Sequence, residues 1–122
     1  MKPKGFTMIE ILIALVILSV SLLALAGLMV RTTRNNSFGG HMTEAATFAQ
    51  DKLEEFRAIG WINIPANTSG VDYPNGATGI VYTRNWGVAP NPVNVDLKEI
   101  SVTINWADQG NHSVRLFSIL SP

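Results

Sequence analysis

The residues best placed to do chemistry stand at the start of the chain, in Lys4-Gly5-Phe6-Thr7-Met8-Ile9-Glu10. Glu10 sits at the mouth of an apolar run, Ile11–Val30, that holds 20 residues with no charge and no proline. A carboxylate there is costly, about 2.5–3.5 kcal/mol at the centre of a membrane span and less near its end, and a simple anchor gains nothing from it. Such an acid calls for a positive partner. Cleavage after Gly5 would make one, the free amine of Phe6, about one helical turn from Glu10. In a bundle, a neighbouring helix shifted lengthwise brings its own amine to the same carboxylate. Desolvation strengthens that pairing and fixes the stagger between helices.

Elsewhere the sequence offers no catalytic constellation, so no enzyme and no cofactor are expected. His41 and His112 are the only histidines, far apart in sequence and in predicted elements. Neither a serine–histidine–acid set nor a zinc site can be argued from them. Glu54 and Glu55 read as a charged, solvated helix face. Asp72 and Asn75 supply two oxygen side chains, short of the six to eight ligands calcium takes, so no metal is expected. Without cysteine there is no disulfide, thiolate site or cysteine nucleophile. No basic stripe points to nucleic acid. Trp61, Trp86 and Trp106 are expected to fill a small core.

The element that must carry Glu10 is the run itself. At about 1.5 Å rise per residue it reaches roughly 30 Å, the thickness of a hydrocarbon core. Lys2 and Lys4 before it and Arg31 and Arg34 after it give no net charge asymmetry, so charge alone leaves the orientation open. Gly27 has two readings, a flexible point or a small residue for close helix packing. Arg31 and Arg34, three apart on one face, either pair with acids of neighbours or face solvent and headgroups.

Beyond the run the pattern changes. Arg31 to Gly40 is polar and poor in helix formers, and continuity with a weak point at Gly39-Gly40 is expected. Helix returns from His41 to Ile59, where Met42, Ala45, Ala46, Ala49, Leu53 and Phe56 make one apolar stripe and Gly60 a stop. A loop is expected over 61–78, punctuated by Pro65, Gly70, Pro74 and Asn75-Gly76. Three strands follow within 79–120. Gly79–Val88 has Ile80, Tyr82, Trp86 and Val88 on one side. Ile100–Trp106 alternates apolar and polar, and Ser113–Leu120 is its hairpin partner. The last strand has Val114, Leu116 and Leu120 on one face, Phe117 and Ile119 on the other. The second face meets either another subunit or the domain's own loops.

The stretch Lys4 to Glu10, followed by its apolar run, resembles the class III leader of type IV pilins and type II secretion pseudopilins. The resemblance covers roughly the first 30 residues. It implies that a prepilin peptidase cuts between Gly5 and Phe6 on the cytoplasmic side and methylates Phe6, and that Glu10 guides subunit docking in a fibre. It further implies a leader over 1–5, a transmembrane and assembly helix over 6–30, and an extracytoplasmic domain over 31–122. The expected fold is α+β and pilin-like: a long N-terminal helix, its first half transmembrane, packed on a small three-stranded antiparallel sheet. The partners it implies are the prepilin peptidase, the major pilin and other minor pilins, the inner-membrane assembly platform, and membrane lipid before assembly. Ala46 to Arg57 resembles the helix end of minor pilins and minor pseudopilins. With the lack of cysteine, it favours a minor pilin that primes assembly or sits at the tip. The alternatives are a minor pseudopilin of a type II secretion system and a membrane-anchored periplasmic binding module that never polymerises. Two plainer readings fit parts of the stretch: a signal anchor, and a secretory signal peptide cut at Ala24-Leu25-Ala26.

Overall fold

The structure is a computed structural model that describes residues 2–122. The chain divides into two compact units, one ending at Ser37 and the other Phe38–Pro122. A single helix, α1, runs Met8–Ile59 and contributes to both. Its helical assignment continues through Gly39 and Gly40.

In the first unit, the side chains of the apolar run are exposed along their whole length. Its few hydroxyls are satisfied within the helix. Ser19 and Ser21 donate to the Leu15 and Ile17 carbonyls, each at 2.7 Å, and Thr32 and Thr33 donate to Leu28 and Met29, each at 3.0 Å. These four hydroxyls therefore do not depend on water for an acceptor, which suits an apolar surrounding. By length and composition α1 can cross a membrane.

The second unit packs the C-terminal part of α1 on an antiparallel sheet of four strands in the order β1-β2-β3-β4: β1 Thr68–Asp72, β2 Thr83–Pro90, β3 Lys98–Ala107 and β4 Asn111–Leu120. The buried helix face is His41, Ala45, Ala49, Lys52, Leu53 and Phe56. Relative to the expected stripe it is rotated by a fraction of a turn. Met42 is exposed, and His41 takes the inward place because it has polar partners waiting there. Gly60 ends the helix at φ 81°, its N–H returning to the Phe56 carbonyl at 3.1 Å, and a 3-10 turn, Trp61–Asn63, follows.

The expected count of three strands is corrected to four. Strand β1 lies inside the stretch read as a loop over 61–78, and β2 begins at Thr83 rather than Gly79. By itself Thr68-Ser69-Gly70-Val71-Asp72 is a poor strand; its partners make it one. Gly70 lies opposite Trp86 and Asp72 opposite Arg84. A Cβ at Gly70 would stand 2.4 Å from Trp86 Cζ2, so only glycine lets the indole lie against this strand. Pro90 closes β2 where it pairs with β3 alone, beyond the last β1 partner at Val88.

The alternation of β3 holds as expected: Ile100, Val102, Ile104 and Trp106 face inward and are buried. With Tyr82, Val88, Ile64 and the helix face they make the core, and Trp86, Val114, Leu116 and Leu120 pack at its edge. Phe117 and Ile119 are 68% and 59% exposed, so the unit's own loops do not cover that face of β4.

Candidate processing and docking site

The start of α1 is built by Thr7, Glu10 and Ile11. Thr7 is the residue just before the helix, and its hydroxyl accepts from the Glu10 N–H at 3.3 Å. Glu10 returns the favour: its Oε2 accepts from the Thr7 N–H at 3.2 Å and from the Thr7 hydroxyl at 3.3 Å. Two backbone donors that a helix start leaves orphaned are thereby satisfied reciprocally. The negative charge also stands at the positive end of the helix dipole. Ile11 N–H closes the first helical turn on the Thr7 carbonyl at 3.2 Å.

Gly5 and Phe6 precede the helix in exposed chain outside any helix or strand, and Phe6 is 84% exposed. A peptide bond here is open to an enzyme that needs the backbone unfolded. Phe6, Glu10, Ile11, Ala14, Leu15 and Leu18 border one shallow apolar groove on the helix surface. The predicted residues Gly5, Phe6 and Glu10 therefore lie together at one helix end. Sequence reasoning missed Thr7, although the signal was present: a threonine with a glutamate three positions on, just ahead of an apolar run.

In the second unit the side chains judged unpromising in sequence make two polar clusters. Both Asp72 oxygens face the Arg84 guanidinium, Oδ1 to Nε at 2.7 Å and Oδ2 to Nη2 at 2.6 Å, and Nη1 reaches the Phe48 carbonyl at 3.0 Å. This bidentate pair ties β1 and β2 to α1. The Arg84 bond first, and its charge, hold the Asp72 carboxyl below its ordinary value of 3.8. Lys52 lies over the Phe56 and Trp86 rings at 5.4 and 5.1 Å and bonds Glu55 at 2.9 Å. The second cluster joins His41, Glu44, Thr78, Tyr82 and Asp108. Glu44 Oε2 accepts from the Tyr82 hydroxyl at 2.7 Å and the Thr78 hydroxyl at 3.0 Å, and Oε1 accepts from the Ala77 N–H. Those bonds, Tyr82 first, hold the Glu44 carboxyl below its usual 4.5. Burial first, then Glu44, pushes the Tyr82 phenol up to about 12. The histidines, separate in sequence, both reach Asp108: His41 Nε2 stands 3.3 Å from its carboxylate, and His112 Nε2 donates to its carbonyl at 3.0 Å. Among the described residues no group of three or more histidine, aspartate or glutamate side chains is placed to hold a metal ion.

Residues 1–26 match the family of the prokaryotic N-terminal methylation motif. The match supports the type IV pilin and pseudopilin superfamily and a structural subunit of that kind. It implies processing by a prepilin peptidase and assembly with other pilins, and with the apolar helix it implies anchoring in a membrane. No curated protein matches the chain, and no solved structure does.

Proposed function

We propose that this chain is a minor type IV pilin. It is cut between Gly5 and Phe6, methylated on Phe6, held by residues 6–30 in the inner membrane with residues 31–122 on the periplasmic side, and then drawn into a fibre with the major pilin and other minor pilins by the inner-membrane assembly platform. The observation that carries the reading is an acid, Glu10, at the mouth of an exposed apolar helix, next to an exposed Gly5-Phe6 bond that lies outside the helix. On extraction the run exchanges lipid for neighbouring helices, so its apolar surface stays out of water throughout. Within the superfamily, a minor pseudopilin of a type II secretion system is the rival, and the identity of the neighbouring genes separates the two.

The bonds between Thr7 and Glu10 favour a second reading of the acid, as a helix cap with no role between subunits. The two readings differ in what glutamine does. Glutamine preserves the reciprocal cap but has no charge to offer an amine. Under the docking reading, Glu10→Gln and Glu10→Ala both lower incorporation into fibres severalfold, while mass spectrometry still finds the membrane form beginning at N-methylated Phe6. Normal incorporation of Glu10→Gln alongside a defect in Glu10→Ala would reduce the acid to a cap. Retention of Met1, or a start at Gly27, would remove the leader altogether.

A further inference from the structure

The two edges of the sheet are built differently. At one edge β1 has five residues. The Trp86 ring lies against its Gly70, and its Asp72 is clamped by Arg84, with Lys52 Nζ at 3.9 Å. A short strand carrying an engaged charge is a poor template for another strand. At the other edge β4 runs ten residues with neither proline nor glycine. It pairs with β3 from Lys98↔Leu120 to Ala107↔Asn111 without a slip in register, so no bulge twists it away. Among the described residues no strand lies beside β4 on the side away from β3, and the backbone N–H and C=O groups along that side form an open row.

Charged side chains commonly guard such an edge. In β4 the only lysine, arginine, aspartate or glutamate is Arg115, and it is drawn back over the sheet. Its Nε donates to the Thr103 hydroxyl on β3 at 2.9 Å, and its guanidinium lies 6.0 Å from the centre of the Phe117 ring. Phe117 and Ile119 stand exposed on the outer face, while Val114, Leu116 and Leu120 are half-buried on the inner one. A strand that completes this edge must be of similar length and carry apolar side chains on both faces, to cover the first pair and to extend the core past the second set. In this chain β4 itself is such a strand; β1, Thr68-Ser69-Gly70-Val71-Asp72, is not.

We propose that β4 pairs antiparallel with β4 of a second copy of this chain, about a two-fold axis, joining the two sheets edge to edge. Directly opposed residues share a face, and the backbone groups free to bond belong to alternate residues, so opposed residues are both odd or both even in number. The register centred on Arg115 sets two guanidinium groups directly opposite each other, and like charge excludes it. The register centred on Leu116 overlaps residues 112–120 and sets Arg115 of each copy opposite Phe117 of the other. Cation meets aromatic ring twice, and Leu116 meets its own mate at the axis. The two-fold closes the pairing at two copies, because the edges left over are the two β1 strands. The interface rests on residues 98–120 and stands whether or not the chain is cut after Gly5.

The test uses the full chain in detergent micelles at low and high protein-to-detergent ratio. Sedimentation gives the oligomeric state. Because the chain has no cysteine, Asn111→Cys and Ser113→Cys each carry one spin label per copy, and pulsed spin resonance reads the distance between copies. In an antiparallel pair centred on Leu116, the Asn111 labels stand about 14 Å further apart than the Ser113 labels, twice the rise of about 3.4 Å over two positions. Phe117→Lys sets a second cation opposite Arg115 and should weaken the dimer roughly tenfold or more, the effect of one lost anchor residue. Phe117 is exposed, so the variant's thermal unfolding should stay close to that of the parent. Val95→Lys, at an exposed valine outside β4, should leave the dimer unchanged. A chain that stays monomeric at high ratio, as one keeping its edge for a different subunit would, overturns the pairing. So does a dimer that survives Phe117→Lys, as one joined through the apolar run would, and so do equal distances at the two labelled positions.

Discussion

Tyr82 is the side chain on which the second unit's polar and apolar halves meet. Its ring is fully buried, edge-on to Phe48 at 5.3 Å and tilted against Trp106 at 5.9 Å, while its hydroxyl donates to Glu44. Tyr82→Phe keeps the packing and removes the donor. It should cost about 1–2 kcal/mol in urea unfolding, the lower part of the range for a bond to a charged group because Glu44 is half-exposed. The same variant has a signature in alkali. A phenol raised to about 12 contributes stability that is complete below about pH 10 and lost as pH rises through 12. That alkaline limb should flatten in Tyr82→Phe. At the N-terminal end the comparable residue is Thr7, whose exchange of bonds with Glu10 is local and readable from a spacing of three.

At the scale of elements, β1 shows how a weak segment is made into a strand by its neighbours. Its hold on β2 combines the Arg84–Asp72 pair with the Trp86 ring laid over Gly70, and that ring in turn packs on Phe56 at 5.1 Å. Gly70→Ala would press a methyl group into the indole and should destabilise by about 1–3 kcal/mol, as overpacking does. Gly87→Ala is the matched control. Its Cβ would meet only Ser101 Oγ, at 3.7 Å, so the change should be neutral or slightly stabilising in a strand interior. The two unfolding midpoints, measured side by side, distinguish a steric need for glycine from a general preference. Strand β3 needed no such help: its alternation of apolar and polar residues already specified which face is buried.

At the scale of the whole molecule, the two units answer to different surroundings. Among its described residues the first has no buried side chain, and its order comes from helix hydrogen bonds. The second holds the core and the ion pairs, so its stability should respond to acid. Glu44 and Asp72 both have folded values below their ordinary 4.5 and 3.8. The stability they contribute is therefore present above those values and is lost as pH falls through the lower folded ones. Circular dichroism of thermal unfolding should show the melting temperature of the second unit falling below about pH 4.5, where the Glu44 contribution begins to go. Asp72→Asn should start from a lower plateau and lose part of the slope below about pH 3.8.

The sequence by itself determined whatever depends on a fixed spacing along one element. That includes the apolar run with Glu10 at its mouth, the stop at Gly60, the β3 alternation and the hairpin of β3 with β4. Such features repeat every two residues or every three to four, and near neighbours in the chain fix them. Only the tertiary structure decided the phase of the buried helix face, the existence of β1, the Arg84 clamp on Asp72 and the meeting of His41 and His112 on Asp108. Each of these joins residues from different elements. Their partners are chosen by strand register and helix rotation, which are set when the core closes and leave no periodic trace in the chain.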